Sequence, residues 1–424
     1  MRILQLSTHT TLAPHHGGKL RSHHIGRVLE EAGLDLRRLA LCVRTAEDQD
    51  DEREPIVDVG RSAFWYSASH RRYGRSASLL SGYVATVAAM ASPGVLDAFD
   101  RAFRHAAPDV VLLEHPWTWP LLERYPDVTS RRIRVLYSSQ NVELHLNGEI
   151  LRRHGIDAAP DVLAGLERLE RSLVAHADAT IACTEADAEV FLRWGARRVV
   201  VAPNGGVRRQ RGHLRAILPE PLRPDHVYAL VVGSNHPPNV SGFLDLVTPW
   251  LPRLRPMQRV VIAGDAGPSI MAEMGRTGLG QLARDRVLAL GRVDGFSLDC
   301  AIANARAILV PVRYGGGSNV KTAEALLSGR PIIASPCAMR GFGMALGAPG
   351  LHVADTAEDF GAAVLGLLDR PGPGVPAGHP ALAALAWDAT VAPVVALLRD
   401  IAHADAMAVG GRASPPDAGR ASAE

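Results

Sequence analysis

Short apolar, β-prone runs alternate with segments of helical periodicity along almost the whole chain. In the helix predicted over 20–32, for example, Ile25, Val28 and Leu29 fall on one face. Regular alternation of strands and helices is typical of α/β folds with parallel sheets. We therefore expect strands at 2–6, 36–43, 55–59, 109–113, 133–138, 179–182, 199–202, 227–232, 260–263, 287–290, 307–310 and 332–334.

The alternation is interrupted near the middle of the chain. Residues 203–206 are Pro-Asn-Gly-Gly, and a polar, arginine-rich stretch follows, which indicates a linker. The length of 424 residues also favours two domains, because a single core seldom grows beyond about 250–300 residues. We expect a first domain at 1–203, a linker at 204–224, a second domain at 225–380, a helix at 381–403 that crosses back to the first domain, and a disordered tail at 404–424.

Residues 308–335, ILVPVRYGGGSNVKTAEALLSGRPIIAS, carry the strongest functional signal. A strand ends in three glycines, 315–317, and helical periodicity follows over 318–327. Glycines allow close approach of the backbone, and the first turn of a helix has unpaired N–H groups that suit phosphate. Lys321 adds a full positive charge, and Glu324 could accept hydrogen bonds from a ribose diol. The stretch therefore predicts a nucleotide site at the carboxyl ends of the strands.

Composition makes Lys321 more informative. Of the 46 Lys and Arg residues, only Lys19 and Lys321 are lysines, and each lies within a few residues of adjacent glycines. A lysine ammonium is a compact point charge that suits phosphate. The alternative is chance placement on two solvated helix faces.

Charge and cysteine content exclude other classes of function. The net charge of +2 gives no strong field for nucleic acid, so no nucleic-acid partner is expected. The four cysteines are far apart and show no metal-ligand spacing, which predicts reduced thiols and no metal site. The apolar run at the N-terminus is too short for a signal peptide, so we expect a cytoplasmic protein.

Residues 76–96 contain no charged side chain, which raises the question of a membrane span. Serines, a threonine, glycines and a proline make the segment a poor span, and a buried pair of helices is favoured. The alternative is peripheral contact of the first domain with the inner face of the membrane.

Several phrases together resemble one enzyme family. They are TIACTEADAEVF before the linker, VVVAPNGGV at the linker, LVVGSNHPPNVSGF at the start of the second domain, and GRVDGFSLDCAIANARAILVPVRYGGGSNVKTAEALLSGRPIIAS. With them the chain is similar to the GT-B glycosyltransferases, specifically to glycosyltransferase family 4 (group 1). The similarity covers roughly 1–370 and is specific in the second domain but loose in the first.

The resemblance implies an α/β fold of the GT-B type, in which two doubly wound Rossmann-like domains face each other across a cleft. It implies hexosyl transfer from a nucleotide diphosphate sugar to an acceptor, with retention at the anomeric carbon and with neither a metal nor a cofactor. The acceptor would be a glycan, a lipid-linked glycan or a small molecule, as in polysaccharide biosynthesis. The donor would bind to the second domain and the acceptor to the first.

The resemblance also assigns roles to individual positions. Catalytic roles fall to His115, Lys321, Gly17 and Gly18. Acceptor contacts are expected from Lys19, Glu143 and Trp117. Donor contacts are expected from Gly315, Gly316, Gly317, Ser318, Asn319, Lys321, Glu324, Ser234, Asn235, Arg292 and Val293.

Two positions depart from the family pattern. Glu324 matches the second glutamate of an E-x7-E motif, but the first glutamate is replaced by Gly316. The opening loop of the second domain lacks the usual Arg and Lys and has Ser-Asn-His at 234–236 instead. Lys321 would then hold the diphosphate, with Arg292 or Arg313 as helpers.

Alternatives stay open at this point. A nucleotide-sugar 2-epimerase shares the fold and would need acids and bases such as Glu114, His115 and Glu143 in the first domain's cleft. A non-catalytic protein that binds a nucleotide sugar or a glycan would fit the missing glutamate. A nicotinamide oxidoreductase is disfavoured, because no G-x-G-x-x-G follows the first strand. The aromatic residues Trp65, Tyr66, Trp117 and Trp119 could stack on sugars or pack in the core. Likewise, His115 could contact the sugar or simply pack in its loop.

Overall fold

The computed structural model describes residues 1–12, 14, 17–46, 48, 51–61, 64, 80–153, 155, 160–208, 214, 217 and 219–410. Trp65 and Tyr66 lie outside the described residues, as do 411–424 of the expected tail and 76–79 of the uncharged segment. Two parallel sheets flanked by helices confirm the predicted fold of two doubly wound α/β domains.

The first domain is built on a seven-stranded parallel sheet with the order β3-β2-β1-β4-β5-β6-β7. All four residues of β4, VVLL, are buried, as expected for a central parallel strand covered on both faces. The order reverses between β1 and β4. The strands are β1 (Arg2–Ser7), β2 (Asp35–Cys42), β3 (Ile56–Asp58), β4 (Val110–Leu113), β5 (Arg134–Ser138), β6 (Ala179–Ala182) and β7 (Val199–Val201).

Helices cover both faces of this sheet. Ser81–Met90 and Pro93–Ala106 form the helix pair predicted for the uncharged segment, and the first of them buries Val84, Ala85 and Ala88. The described helices of this domain are α1 (Gly17–Glu31), α2 (Ser81–Met90), α3 (Pro93–Ala106), α4 (Trp119–Leu122), α5 (Pro126–Thr129), α6 (Glu143–Arg153), α7 (Pro160–His176) and α8 (Glu185–Arg193). None of the helices in the described part of the chain is both long and apolar enough to cross a bilayer.

The second domain repeats the plan with a six-stranded parallel sheet in the order β10-β9-β8-β11-β12-β13. Its order reverses between β8 and β11. Ligands of open α/β sheets bind outside the carboxyl ends of the strands at such a reversal. The strands are β8 (Val227–Val232), β9 (Gln258–Ala263), β10 (Val287–Gly291), β11 (Ala307–Val310), β12 (Ile332–Ala334) and β13 (Leu351–Val353).

The helices of the second domain place the glycine-rich stretch at the strand ends. The helix after the three glycines is only seven residues long, shorter than the periodicity over 318–327 predicts. The helices are α9 (Pro237–Leu246), α10 (Ala266–Met274), α11 (Gly278–Ala283), α12 (Gly295–Asn304), α13 (Val320–Leu326), α14 (Ala357–Asp369), α15 (Pro380–Ala383) and α16 (Trp387–Gly410).

The last helix, α16, packs on the first domain. Its Trp387 stacks on His24 of α1 with ring centroids 4.7 Å apart, and Val391 joins the first domain's core. The helix begins and ends several residues later than the expected span 381–403, so 404–410 continue it instead of belonging to the tail. Alanine-rich sequence has high helix propensity, which accounts for the extension.

The chain thus crosses between the domains twice, and the two crossings touch. The Gly206 amide donates to the Leu385 carbonyl oxygen over 2.8 Å. A Cβ atom on Gly205 would lie 2.8 Å from Trp387 Cα, so this glycine is needed for the close approach of the two crossings.

Candidate functional site

A cleft of about 700 Å³ lies between the two domains at the carboxyl ends of both sheets. It is lined from both sides, and most of the residues singled out by sequence lie in it. Those that line it are Gly17, Gly18, His115, Ser234, Asn235, Arg292, Val293, Gly315, Gly316, Ser318, Asn319, Lys321 and Glu324.

The three glycines form a loop between β11 and α13 that presses against the first domain. Gly315 has φ of 137° and Gly317 has φ of 58°, conformations that favour glycine. A Cβ atom on Gly317 would lie 2.1 Å from the Gln140 carbonyl oxygen. The loop is therefore glycine-rich partly because the backbone of the first domain approaches it, which sequence alone did not indicate. Arg340 holds the loop by donating hydrogen bonds to the carbonyl oxygens of Gly315 and Gly316.

Lys321 supplies the free positive charge of the second-domain wall. Its Nζ donates a hydrogen bond to Asn239 Oδ1, and no carboxylate of the described residues pairs with it. Burial lowers the pKa of Lys321 to about 8. The ammonium is therefore mostly protonated at neutral pH and available to an anion in the cleft.

The two arginines expected to help Lys321 are already paired. Arg292 lies in the cleft with its guanidinium 2.8 Å from Asp265 Oδ2. Arg313 points outside the cleft lining and donates to Asp355 Oδ1 over 2.7 Å. The positive charge of each is balanced locally, so among the described residues of this wall Lys321 carries the positive charge that no carboxylate balances.

The interdomain hinge, the Pro-Asn-Gly-Gly turn at 203–206, is hydrogen-bonded directly to Ser318, the residue that follows the three glycines. The Asn204 amide donates to Ser318 Oγ over 2.8 Å, and Asn204 Nδ2 donates to the Ser318 carbonyl oxygen over 2.7 Å. Arg21 of α1, buried beneath them, donates to Asn204 Oδ1 over 3.3 Å. Sequence reasoning placed Asn204 at a domain boundary and missed this role, although the Pro-Asn-Gly-Gly turn was the available signal.

The first-domain wall presents neutral polar groups and histidines. His115 follows β4, and its ring lies edge-on to His9, with centroids 5.2 Å apart. Gln140 and Asn141 follow β5 and face the glycine loop. Sequence reasoning did not identify His9, Gln140 or Asn141 as site residues.

Lys19, expected at the acceptor, does not line the cleft. Its Nζ lies 3.1 Å from Thr10 Oγ1 and 3.5 Å from Asp48 Oδ1, and both charged side chains are buried. The structure corrects the expectation, because a buried ion pair already uses the charge of Lys19.

Trp117 is also corrected, since it packs in the core. Its ring lies edge-on to Tyr83, and a Cβ atom on Gly82 would lie 2.6 Å from its Cδ1. Trp119 is buried too and donates from Nε1 to Ser172 Oγ over 3.1 Å. For both tryptophans the packing alternative holds.

Glu114 and Glu143, the two first-domain carboxylates that sequence reasoning singled out, do not line the cleft. Glu143 is buried behind Asn141 and accepts hydrogen bonds of 3.1 Å from Asn141 Nδ2 and Asn147 Nδ2. Burial raises the pKa of Glu143 to about 7. Glu114 is fully buried and accepts from Gln5 Nε2 and Ser138 Oγ, and burial raises its pKa as well. The expected acceptor contact of Glu143 is corrected, and an isomerase loses two of the acid–base groups it would need.

The described residues contain no group of three or more His, Cys, Asp or Glu side chains that could hold a metal ion. The thiols of Cys42, Cys183, Cys300 and Cys337 are free, and the first three are buried.

Two family profiles match the chain, one for each domain. The profile described as "Glycosyl transferase 4-like domain" matches residues 16–205, and the profile described as "Glycosyl transferases group 1" matches residues 226–370. Among curated proteins no relative matches the chain.

Solved structures with the same fold cover nearly the whole chain. Sucrose-phosphate synthase from Thermosynechococcus elongatus is 15% identical with a TM-score of 0.70, over 95% of this chain and 100% of its own. Anabaena HepE in complex with UDP is 13% identical with a TM-score of 0.63, over 94% and 100%. A structure described as "Trehalose-6-phosphate from E. coli bound with UDP-2-fluoro glucose" is 14% identical with a TM-score of 0.57, over 93% and 95%. At these identities the likeness shows a shared fold.

Proposed function

The chain belongs to the group 1 glycosyltransferases, which transfer a sugar from a nucleotide sugar, and we propose that it is a hexosyltransferase that retains the anomeric configuration without a catalytic metal. The observation that carries the proposal is Lys321, a cation at the donor wall of the cleft that has no carboxylate partner among the described residues.

The donor binds to the second-domain wall. Its diphosphate lies against Lys321 and the glycine loop, its ribose against Glu324, and its base near Val293. All of these residues line one cleft, and the loop amides are held in place by the hinge and by Arg340.

Lys321 stabilises the leaving group. When the bond between the anomeric carbon and the diphosphate oxygen breaks, negative charge develops on that oxygen. A preorganised positive charge at this position lowers the barrier, because it interacts more strongly with the transition state than with the ground state. A full charge from a side chain can do this without a metal, so we expect turnover to survive a chelator.

The acceptor binds to the first-domain wall, with its hydroxyl near His115. The carboxylates among the described cleft-lining residues, Asp265 and Glu324, both belong to the second domain. This distribution supports retention, because the described acceptor wall offers no carboxylate base, and we propose that the acceptor's proton passes to the leaving diphosphate oxygen on the same face of the sugar. NMR of the product's anomeric proton tests it, and an inverted product would contradict it.

The substrates are proposed more broadly. HepE was solved with UDP and the E. coli protein with UDP-2-fluoroglucose, so uracil comes first among the bases to test. For the acceptor we propose a glycan, a lipid-linked glycan or a small molecule. Peripheral membrane contact by the first domain also remains a proposal, and flotation of the protein with anionic vesicles would measure it.

The experiment is a thermal-shift screen against UDP, GDP, ADP and TDP and their glucose conjugates, followed by a turnover assay with the series that binds. A ligand at about 100 times its dissociation constant adds roughly 2.7 kcal/mol of stability, which is readily visible. Binding followed by sugar release or transfer supports the proposal. Binding without turnover on any acceptor would favour the non-catalytic alternative, and no binding would overturn the donor site.

A further inference from the structure

Asn141 occupies a distinctive place in the cleft. It lies between β5 and α6 on the first-domain wall, directly opposite the glycine loop. A Cβ atom on Gly316 would lie 2.8 Å from Asn141 Cβ and 2.9 Å from Asn141 Oδ1. A Cβ atom on Gly317 would lie 3.0 Å from the same oxygen. The Asn141 side chain therefore fills the space that any side chain on residue 316 would need.

The orientation of the Asn141 amide is set by a hydrogen bond to the buried carboxylate of Glu143. Its Nδ2 donates to Glu143 Oε1 over 3.1 Å, while its Oδ1 faces the glycines. The other oxygen of Glu143 accepts from Asn147 Nδ2 over 3.1 Å, and Asn147 Nδ2 also donates to the Glu143 carbonyl oxygen over 2.8 Å.

A second carboxylate anchors this support. The backbone amides of Glu143 and Leu144, at the start of α6, donate to the carboxylate of Glu170 over 2.9 Å each. Tyr137 of β5 donates to the same carboxylate over 2.9 Å. A polar group held by such buried partners loses little freedom on binding, as a preorganised ligand contact requires.

We propose that Asn141 is the first-domain residue that binds the transferred sugar, with its Oδ1 accepting a hydrogen bond from a sugar hydroxyl. The inference rests on the proposed function, since it takes the diphosphate at Lys321 as given. The sugar is covalently attached to that diphosphate and so lies beside the glycine loop. The loop offers backbone but no side chain there, and Asn141, which packs against the loop from the first-domain wall, supplies a polar group.

Two neighbours on the same wall fit this role less well. Gln140 directs its Nε2 toward the Gly18 carbonyl oxygen and Ser22 Oγ, each at 3.4 Å, so its amide faces α1. Glu143 lies beneath Asn141 and acts as a positioning residue. Of these two neighbouring side-chain amides, that of Asn141 is thus the one whose oxygen faces the glycine loop.

The test compares two ligands of the same base in one titration series. Calorimetry gives the dissociation constants of UDP and UDP-glucose, and of the GDP, ADP and TDP pairs, for the wild type and for Asn141→Ala. The ratio of the free nucleotide's constant to the sugar conjugate's constant isolates the contribution of the sugar. We expect Asn141→Ala to lower this ratio by about fivefold to tenfold, the usual effect of one hydrogen bond, with the constant for the free nucleotide unchanged.

A second variant tests the contact itself. Gly316→Ala should weaken binding of the sugar conjugate, because its methyl group meets Asn141. Adding Asn141→Gly removes the obstruction, because it takes away both the Cβ atom and the amide that this methyl group would meet. The double variant should then bind better than the sum of the Gly316→Ala and Asn141→Gly effects predicts. Additive effects would show that the two residues do not meet.

The outcomes separate this inference from the proposed function. If the wild type binds none of the nucleotides, the donor site is overturned and Asn141 with it. If the wild type binds a nucleotide but the ratio is the same in Asn141→Ala, whatever its value, only the role of Asn141 fails. An equal loss for the free nucleotide and its conjugate would assign Asn141 to holding the glycine loop and would overturn the sugar contact.

Discussion

The two walls of the cleft are built by the same rule and treat charge in opposite ways. Each wall consists of strand carboxyl ends at the point where the strand order of its sheet reverses. The second-domain wall directs Lys321 into the cleft without a carboxylate partner among the described residues. In the first domain the charged groups of Lys19, Glu114 and Glu143 are buried, where Lys19 is paired with Asp48 and the two carboxylates accept hydrogen bonds. Histidines and amides are left at the surface of this wall.

The difference indicates that the two walls are suited to different parts of the substrates. The wall with free charge suits the part of the donor that is always the same, a diphosphate. The wall of histidines and amides suits sugars and acceptor hydroxyls, whose recognition depends on the placement of hydrogen-bond donors and acceptors more than on charge.

The largest expected effect comes from removing the free charge. Lys321→Met should lower the turnover number by about 10²–10³-fold, because the leaving diphosphate loses its counter-charge. Steady-state kinetics measure this, and the melting temperature checks that the fold is intact. Arg313→Met is the matched control, since Arg313 stands near the same loop but pairs with Asp355 outside the cleft. Equal activity of both variants would remove the distinction between the walls.

The next effect concerns binding on the same wall. Glu324→Ala should weaken the binding of free nucleotide diphosphates by about 10–100-fold, the cost of losing hydrogen bonds from hydroxyls to a carboxylate. Calorimetry measures it, with Glu324→Gln as the variant that keeps one acceptor oxygen. An unchanged dissociation constant in Glu324→Ala would rule out the ribose contact.

A tenfold effect is expected from pH alone. Burial lowers the pKa of Lys321 to about 8, so its ammonium is largely present at pH 7 and largely lost at pH 9. In the proposed role the protonated form of Lys321 binds the diphosphate, so affinity for the nucleotide should fall about tenfold between these values. Lys321→Met should show a flat profile over the same interval. A wild-type profile as flat as that of the variant would contradict the prediction.

The smallest effect on activity is expected on the other wall. Lys19→Met should leave the acceptor KM within about twofold, because Lys19 is spent on Asp48. It should instead cost about 3 kcal/mol of stability, since it leaves a buried carboxylate without its cation. Denaturant unfolding measures the loss, and Lys19→Met with Asp48→Asn should lose less than the sum of the single variants. A large rise in the acceptor KM of Lys19→Met, with an unchanged free energy of unfolding, would show that Lys19 does contact the acceptor.

Most of the fold could be predicted because central parallel strands are continuous apolar runs. The strand at 307–310 and the all-buried β4 were readable for this reason. β13 was not predicted, since Leu351–Val353 is a three-residue edge strand whose side chains are largely exposed and carry little pattern.

From residue pattern alone the site was readable where its residues are contiguous, whereas dispersed cleft residues such as His115 and Arg292 were expected only from the family resemblance. Strand, glycines, Lys321 and Glu324 follow one another within a short stretch, so their order in sequence is their order in space. For Glu143 the sequence gives the position after β5 but not the direction of the side chain. Asn147, one helical turn later, draws the carboxylate inward, and Asn141 takes its place at the cleft. Such choices depend on partners that are brought together only by folding.

The paired crossings at Gly206 and Leu385 set the way in which the two walls can move. Two covalent connections that lie side by side define one pivot line, and any sliding or twisting of the domains would have to pull them apart. We expect the remaining motion of the two walls to be rotation about that line. Because the Asn204 bonds to Ser318 lie beside the pivot, we expect small rotations there to produce larger displacements at the far lip of the cleft. We therefore expect donor and acceptor to meet along a single arc, with the glycine loop and Asn141 as the stop at its end.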